Sequence, residues 1–442
     1  MKRMIVVLVS LALIVLACAT ALNHIRVANR KDFKANHARL IQDNYNKTFS
    51  YSYGRRRGPK GETLRFLVPA SSEREFDVRV FNRSVFGPAG VEMIGPDGRP
   101  VFSAHGRTLS LERHLRLSAG LYGIVVELGR AYDGILEIGF KGQAVWIRDL
   151  DPGHFTKIDP VAEQNFHWPY FLFVPDKVLP HPTLLVIPNN TGFVDDDVRI
   201  HEESAKNDIF RFSEMAETLA VPLLVPAFPR PASRANVYTH ALDRDALTCR
   251  EKDIARPDLQ LAEMIDDALR RLQGRGMAAA PRVFLFGFSA SAMFANRFTI
   301  LHPERVAAAA CGAPGGWPIA PAEEFRGKVL PYPVGLAGLK ELTGETPNPD
   351  LIRKVPMVMF MGGHDENDSV VYRDGYELSD EELISALFGA DPQSRWKPAE
   401  NLYRSAGMDC RFLLYPAAGH ELTQDMKRDV VAFFAAELAK DH

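Results

Sequence analysis

Residues 282–292 read RVFLFGFSASA, an apolar run that enters Gly287-Phe288-Ser289-Ala290-Ser291 and leaves through small residues. A serine at a sharp strand-to-helix turn is held in a strained backbone that lifts its hydroxyl clear of the sheet edge. Compact residues two positions to either side let the helix pass close to the strand. Gly287 and Ser291 fill those positions, with Ser291 where a second glycine is usual. A serine hydroxyl at neutral pH is a poor nucleophile and needs a base, most often histidine, oriented by a carboxylate. Two later strand ends supply them. VPMVMFMGGHD brings Asp365 off an apolar run, and RFLLYPAAGH brings His420 off another, just before the C-terminal helical pattern. Asp365 is the predicted acid rather than Asp368 because it comes directly off the strand end. Charge developing on a substrate oxygen needs preorganised donors. The N–H of Ala290 is one. The other is sought in Pro188-Asn189-Asn190-Thr191-Gly192, after the strand at 183–188, where Asn190 is the candidate through its N–H or its side-chain amide.

The elements that must hold these groups are legible in the hydrophobic rhythm. From about residue 143 short apolar runs alternate with helical patterns, which is the signature of a mostly parallel sheet covered on both faces. The predicted strands are 170–174, 183–188, 221–225, 283–286, 357–361 and 411–415, and the predicted helices 210–219, 259–272, 292–301 and 423–438. Long irregular stretches at 226–257 and 312–349 interrupt the rhythm; the second is rich in Pro and Gly and reads as an insert. Trp317, Phe325 and Tyr332 in it either line a pocket or anchor the loop. Before residue 143 the pattern is different. Period-two alternation at Phe76, Val78 and Val80, at Leu109 and Leu111, and along 122–128 and 135–138, with turns at Gly95-Pro96-Asp97-Gly98 and Ala119-Gly120, predicts a small β-sandwich over 61–142. Residues 23–60 read as a linker.

Lys2 and Arg3 precede an apolar run over 4–22, the charged start and hydrophobic core of an export signal. Its length also suits an uncleaved anchor, and Leu16-Ala17-Cys18 leaves lipidation open. In each case the folded part is expected outside the cytoplasm, periplasmic, extracellular or attached to a membrane, where a bridge from Cys249 to Cys410 or Cys311 is chemically allowed.

Lys+Arg 53 against Asp+Glu 55 leaves a formal net charge of -2 and no overall basic field for nucleic acid. Four scattered cysteines with no C-x-x-C pair give neither a disulfide framework nor a zinc ribbon. Asp365, Asn367 and Ser369 alternate like a calcium loop, but the sixth position is Val370 and the twelfth Tyr376, where Gly and Glu are required. His201-Glu202-Glu203 lacks the second histidine of a zinc helix. The Asp195-Asp196-Asp197 run reads as solvated loop. No metal or cofactor is expected.

With these residues set out, a family can be named: 165–440 resembles an α/β-hydrolase. The elbow GFSASAMFANRF, the following HPERVAAAACGAPGG, the acid loop GGHDENDSV and the late GHE look most like secreted polyester-depolymerase and feruloyl-esterase-like serine esterases. By that resemblance Ser289 matches the nucleophile, Asp365 the acid and His420 the base. The loop at 188–192 departs from the His-Gly-Gly-Gly type of many lipases. The resemblance implies an exported serine hydrolase that cleaves small-molecule or polymeric carboxylic esters through an acyl-enzyme, with its catalytic domain over 143–442. A serine peptidase of the same fold, or a binding protein on an idle hydrolase scaffold, are the alternatives.

Overall fold

The computed structural model describes residues 38–43, 46–53, 62–70, 73–86, 88–129, 133–141, 145–147, 155–190 and 194–440. The apolar run at 4–22 lies outside them. Among the described residues no helix is long and apolar enough to cross a membrane. The chain divides between Ile147 and Arg148.

The N-terminal unit is built from two five-stranded antiparallel sheets. One runs in the order Ala38–Asp43, Asn46–Tyr53, Asp133–Lys141, Arg74–Phe86, Thr108–Leu117. The other runs Val145–Ile147, Glu62–Ala70, Gly120–Leu128, Ala89–Ile94, Pro100–Gly106. The period-two alternation seen in the sequence is inward-facing here: Leu64, Phe66 and Val68 from one sheet and Phe76, Val78 and Val80 from the other share one apolar cluster. The unit is larger than 61–142. Residues 38–43 and 46–53, read as linker, form two strands, while 145–147, assigned to the catalytic part, pairs with Glu62–Ala70.

The C-terminal unit carries an eight-stranded sheet. In chain order its elements are β1 (Phe155–Ile158), β2 (Tyr170–Phe173), β3 (Leu185–Val186), α1 (Val198–Leu219), β4 (Leu223–Pro226), α2 (Pro257–Gly274), β5 (Val283–Phe288), α3 (Ala290–Leu301), β6 (Val306–Gly312), β7 (Met357–Gly362), α4 (Pro392–Ser405), β8 (Cys410–Tyr415) and α5 (Gln424–Leu438). The spatial order is β1-β2-β4-β3-β5-β6-β7-β8, with β2 antiparallel to both neighbours and every later pair parallel. Central strand β5 is apolar on both faces because helices cover both. Val283 and Leu285 join a cluster with Leu261, Ile265 and Phe294 of α2 and α3. Phe284 and Phe286 join one with Phe212 of α1 and Phe434 of α5, and the rings of Phe284 and Phe434 stack at 4.7 Å. Each such buried ring contributes about 1.5–3 kcal/mol.

Two sequence expectations are corrected. Cys249, Cys311 and Cys410 are free thiols, so Cys249 is bridged neither to Cys410 nor to Cys311. The three aspartates at 195–197 are bound, not merely solvated. Asp197 caps α1 by accepting from the Arg199 N–H, Asp195 accepts from the Asp197 N–H, and Asp196 accepts from the Ser233 N–H and hydroxyl.

Candidate active site

The strand that precedes Ser289 decides its geometry. β5 ends at Phe288 and α3 begins at Ala290, so the whole reversal falls on one residue, and Ser289 takes φ 64°, ψ −129°. A non-glycine residue with positive φ stores strain that the surroundings must hold. Three features hold it here. The Ser289 N–H donates to the Gly312 carbonyl of β6 at 2.9 Å. The Ser291 hydroxyl accepts from the Phe288 N–H and donates to the Phe288 carbonyl, both at 2.9 Å, so it ties α3 back across the turn. A Cβ at Gly287 would stand 2.2 Å from the Ser291 carbonyl oxygen, which is why this position must be glycine. Ser291 is therefore more than a tolerated substitute for glycine.

Asp365 and His420 meet through backbone contact between two loops. Gly363 N–H donates to the Tyr415 carbonyl at 2.8 Å and His364 N–H to the Ala418 carbonyl at 2.9 Å. A Cβ at Gly362 would lie 2.3 Å from the Gly419 carbonyl oxygen, so glycine alone allows this approach. Asp365, 2% exposed, follows at once. His420 Nδ1 lies 3.0 and 2.9 Å from its two carboxylate oxygens, and His420 Nε2 lies 3.0 Å from Ser289 Oγ. A carboxylate can only accept, so Nδ1 carries the proton and Nε2 is left as acceptor for the serine hydroxyl. The Asn367 N–H donates to Asp365 Oδ1 at 3.0 Å, and Phe288 packs against the imidazole with ring centroids 5.1 Å apart. Ser289 and His420 are both half-buried, open to a reactant. Ser289, Asp365 and His420 thus come together from the ends of β5, β7 and β8.

Asp368 sits apart from this line. It caps the short helix Ser369–Tyr372 through the Val370 N–H and takes the Arg395 guanidinium at 2.7 and 2.9 Å. Arg395 is on α4, which also reaches the acid itself, the Gln393 amide donating to the Asp365 carbonyl. Sequence reasoning missed α4, whose interior Pro398 argues against a helix, and with it this support.

Of the two expected oxyanion donors, Ala290 opens α3, where the first N–H groups have no intrahelical acceptor. Burial pushes the pKa of Asp208 on α1 up to about 6, while the Arg211 cation and the Asn190 backbone pull it down. Residues 191–193 lie outside the described residues. Asn189, not singled out by the sequence reading, is buried and grips both the N–H and the carbonyl of Phe228 at 3.0 and 2.9 Å, which fixes the β3 loop to the β4 loop. A polar residue ending the apolar run LLVIP was the available signal. In the insert, Trp317 and Tyr332 are anchors. Trp317 donates to the Val334 carbonyl at 2.9 Å and stacks on Phe388 at 4.2 Å, and Tyr332 donates to the Leu242 carbonyl. Phe325 leans on Phe388 at 5.3 Å. Among the described residues no group of three or more His, Cys, Asp or Glu side chains is placed to hold a metal ion.

Strand order, the strained serine turn and the Ser–Asp–His chain order are those of an α/β-hydrolase fold. No protein-family model matches the chain and no curated protein matches it. Among solved structures it is similar to poly(aspartic acid) hydrolase-1 from Sphingomonas sp. KT-1, at 14% identity over 64% of this chain and 98% of that one, with a TM-score of 0.44. It is similar to a thermostable esterase at 14% identity over 86% and 89% of the two chains, TM-score 0.39. The S-formylglutathione hydrolase from Agrobacterium tumefaciens is similar at 14% identity over 64% and 92%, TM-score 0.36.

Proposed function

We propose that the protein is an exported serine esterase that hydrolyses carboxylic esters, small or polymeric, through an acyl-enzyme. The observation that carries this reading is the unbroken hydrogen-bond line from Ser289 Oγ through His420 to Asp365. Ser289 Oγ attacks the ester carbonyl carbon while His420 Nε2 takes its proton. Asp365 holds the imidazole and stabilises the imidazolium. The carbonyl oxygen, now negative, is met by the Ala290 N–H and the Asn190 side-chain amide. His420 then gives its proton to the leaving alkoxide, the C–O bond breaks and the alcohol departs. Water repeats the sequence on the acyl-enzyme, releasing the acid and restoring Ser289. The N-terminal unit is an accessory β-sandwich for targeting or polymer contact, and export rests on Lys2, Arg3 and the apolar run at 4–22.

A fluorophosphonate probe and a panel of short ethyl and 4-nitrophenyl esters test the reading together. The probe should label Ser289, and Ser289→Ala should lower ester turnover by several powers of ten, leaving the residue due to oxyanion donors and binding. Full turnover in that variant would end the proposal.

A further inference from the structure

Four arginines of the C-terminal unit with side chains no more than a third exposed, Arg244, Arg256, Arg305 and Arg395, each hold a carboxylate through two bonds. Arg244 grips Asp380 through two bonds at 2.7 Å. Arg256 grips Asp258 at 2.9 and 2.8 Å, and Arg305 binds Asp266 through both terminal nitrogens. Arg395 binds Asp368 and, in addition, the Gly389 and Ala390 carbonyls. Arg230 differs. Among the described residues its guanidinium makes one side-chain bond, Nη2 to Asp374 Oδ1 at 3.2 Å, to a carboxylate that is itself 44% exposed. The guanidinium carbon Cζ stands over the face of Tyr238, 3.9 Å from the ring centroid, and the side chain keeps 17% of its surface open.

Its place in the fold gives that incompleteness a use. The Arg230 carbonyl accepts from the Asp195 N–H, so its backbone is tied to the loop that follows β3. Two residues earlier, Phe228 is gripped by Asn189, the neighbour of Asn190. Tyr238 shares one apolar cluster with Ala290 and Met293, the first turn of α3 behind Ser289. Asp374 follows the short helix of the acid loop, its N–H donating to the Ser369 carbonyl. The guanidinium thus stands where loops from the carboxyl ends of β3, β4 and β7 converge on the nucleophile helix, the edge at which open α/β sheets bind ligands.

We infer that Arg230 is a specificity residue that recognises a carboxylate on the substrate, so that the ester cleaved carries a free acid group close to its scissile carbonyl. The inference rests on the esterase reading above. Arg forks match carboxylates with two parallel bonds, the aromatic platform under Arg230 holds its plane, and the single long bond to Asp374 is the contact a substrate carboxylate would replace. Asp374 fills the site when no substrate is there and keeps the cation paired.

The test compares kcat/KM for the monoethyl esters of succinate, glutarate and adipate with that for neutral ethyl esters of matched length. The ratio of acidic to neutral is the readout. In the wild-type protein at low salt at least one acidic ester should be favoured by about tenfold or more, the usual weight of a charge-assisted contact, with the preference falling as salt rises. Arg230→Gln should bring that ratio to about one, while Asp374→Asn, which frees the fork, should raise it. A structural role for Arg230 would move both esters together and would not give opposite signs in the two variants. A wild-type ratio near one, or a ratio unchanged in both variants, overturns the inference while leaving the esterase reading intact. Should Arg230→Gln not fold, the Asp374→Asn ratio and the salt dependence of the wild-type ratio decide the matter. Absence of turnover on every ester, acidic and neutral, overturns the esterase reading and this inference with it.

Discussion

Two aspartates three positions apart in one loop make a sharp experiment, because the structure gives them different employments. Asp365 is 2% exposed and faces His420 Nδ1 with both oxygens. Asp365→Asn keeps the shape but puts an amide where only an acceptor fits, so the imidazole turns or takes the wrong tautomer and its cation loses its counter-charge. In serine proteases that change costs about 10⁴ in turnover, or about 5.5 kcal/mol of transition-state stabilisation. Asp368 faces Arg395 at 2.7 and 2.9 Å, and the two residues are 6% and 1% exposed. Asp368→Asn strands a buried guanidinium, a loss of about 3–5 kcal/mol of stability, partly offset because Arg395 keeps the Gly389 and Ala390 carbonyls. Turnover per folded molecule should fall less than about tenfold, since Asp368 touches neither Ser289 nor His420. Urea unfolding followed by circular dichroism gives the stabilities, and turnover on one short ester, measured well below both melting temperatures, gives the rates. Asp365→Asn should melt near the wild type and be nearly inert; Asp368→Asn should melt early and turn over. An active Asp365→Asn, or an Asp368→Asn that is stable yet inert, would refute the assignment.

Ser291→Ala removes both ties across the elbow and leaves the Phe288 N–H without its acceptor, so stability should fall by about 1–3 kcal/mol and kcat should suffer more than KM, as stopped-flow and melting measurements would show. His240 is 1% exposed, donates from Nε2 to the Phe228 carbonyl at 2.7 Å, and burial drives its pKa down to about 3 from an ordinary 6.5. The unfolded chain therefore takes up a proton below pH 6.5 that the folded chain refuses, and stability from this group is full above 6.5 and lost as pH falls toward 3. Between pH 7 and pH 5 the loss amounts to about 2 kcal/mol, and His240→Gln should flatten the pH dependence by about that much in paired urea melts. A chain beginning at Arg148 should keep short-ester turnover, because Ser289, Asp365, His420 and Ala290 all lie beyond it; a cooperative melt without turnover would mean that the N-terminal unit completes the site.

That Ser289, Asp365 and His420 come together was legible because each follows an apolar run that forms a parallel strand, buried in β5 and β7 and at the sheet edge in β8, and because glycines at 287, 362 and 363 mark where backbones must approach. Asp365 stood out from Asp368 by position alone, and Arg395 supplies the physical reason. What stayed hidden depended on distant partners. Nothing near Asn189 in the chain shows that it would grip the Phe228 backbone, and nothing near Ser291 distinguishes a clamp from a small filler. β1 is only Phe155–Ile158, too short for a periodic signal. The helix at 392–405 contains Pro398, whose missing N–H and bulky ring count against it until the capping by Asp391 and the packing of Trp396 on Phe412 are known. Trp317 and Tyr332 could be read either way until their hydrogen bonds were seen.

The sheet order has one further consequence, for time rather than geometry. The hydroxyl comes off β5 and the imidazole off β8, the last strand in both sequence and space, separated by 131 residues of chain. Pairings so remote are assembled late, after the entropy of closing long loops has been met. A nascent or C-terminally clipped chain can form the elbow and still hold a serine as unreactive as any other hydroxyl, since no base reaches it until β8 zips onto β7. On the proposed function, reactivity toward a covalent serine probe should therefore be a census of finished molecules, silent through every earlier stage of assembly.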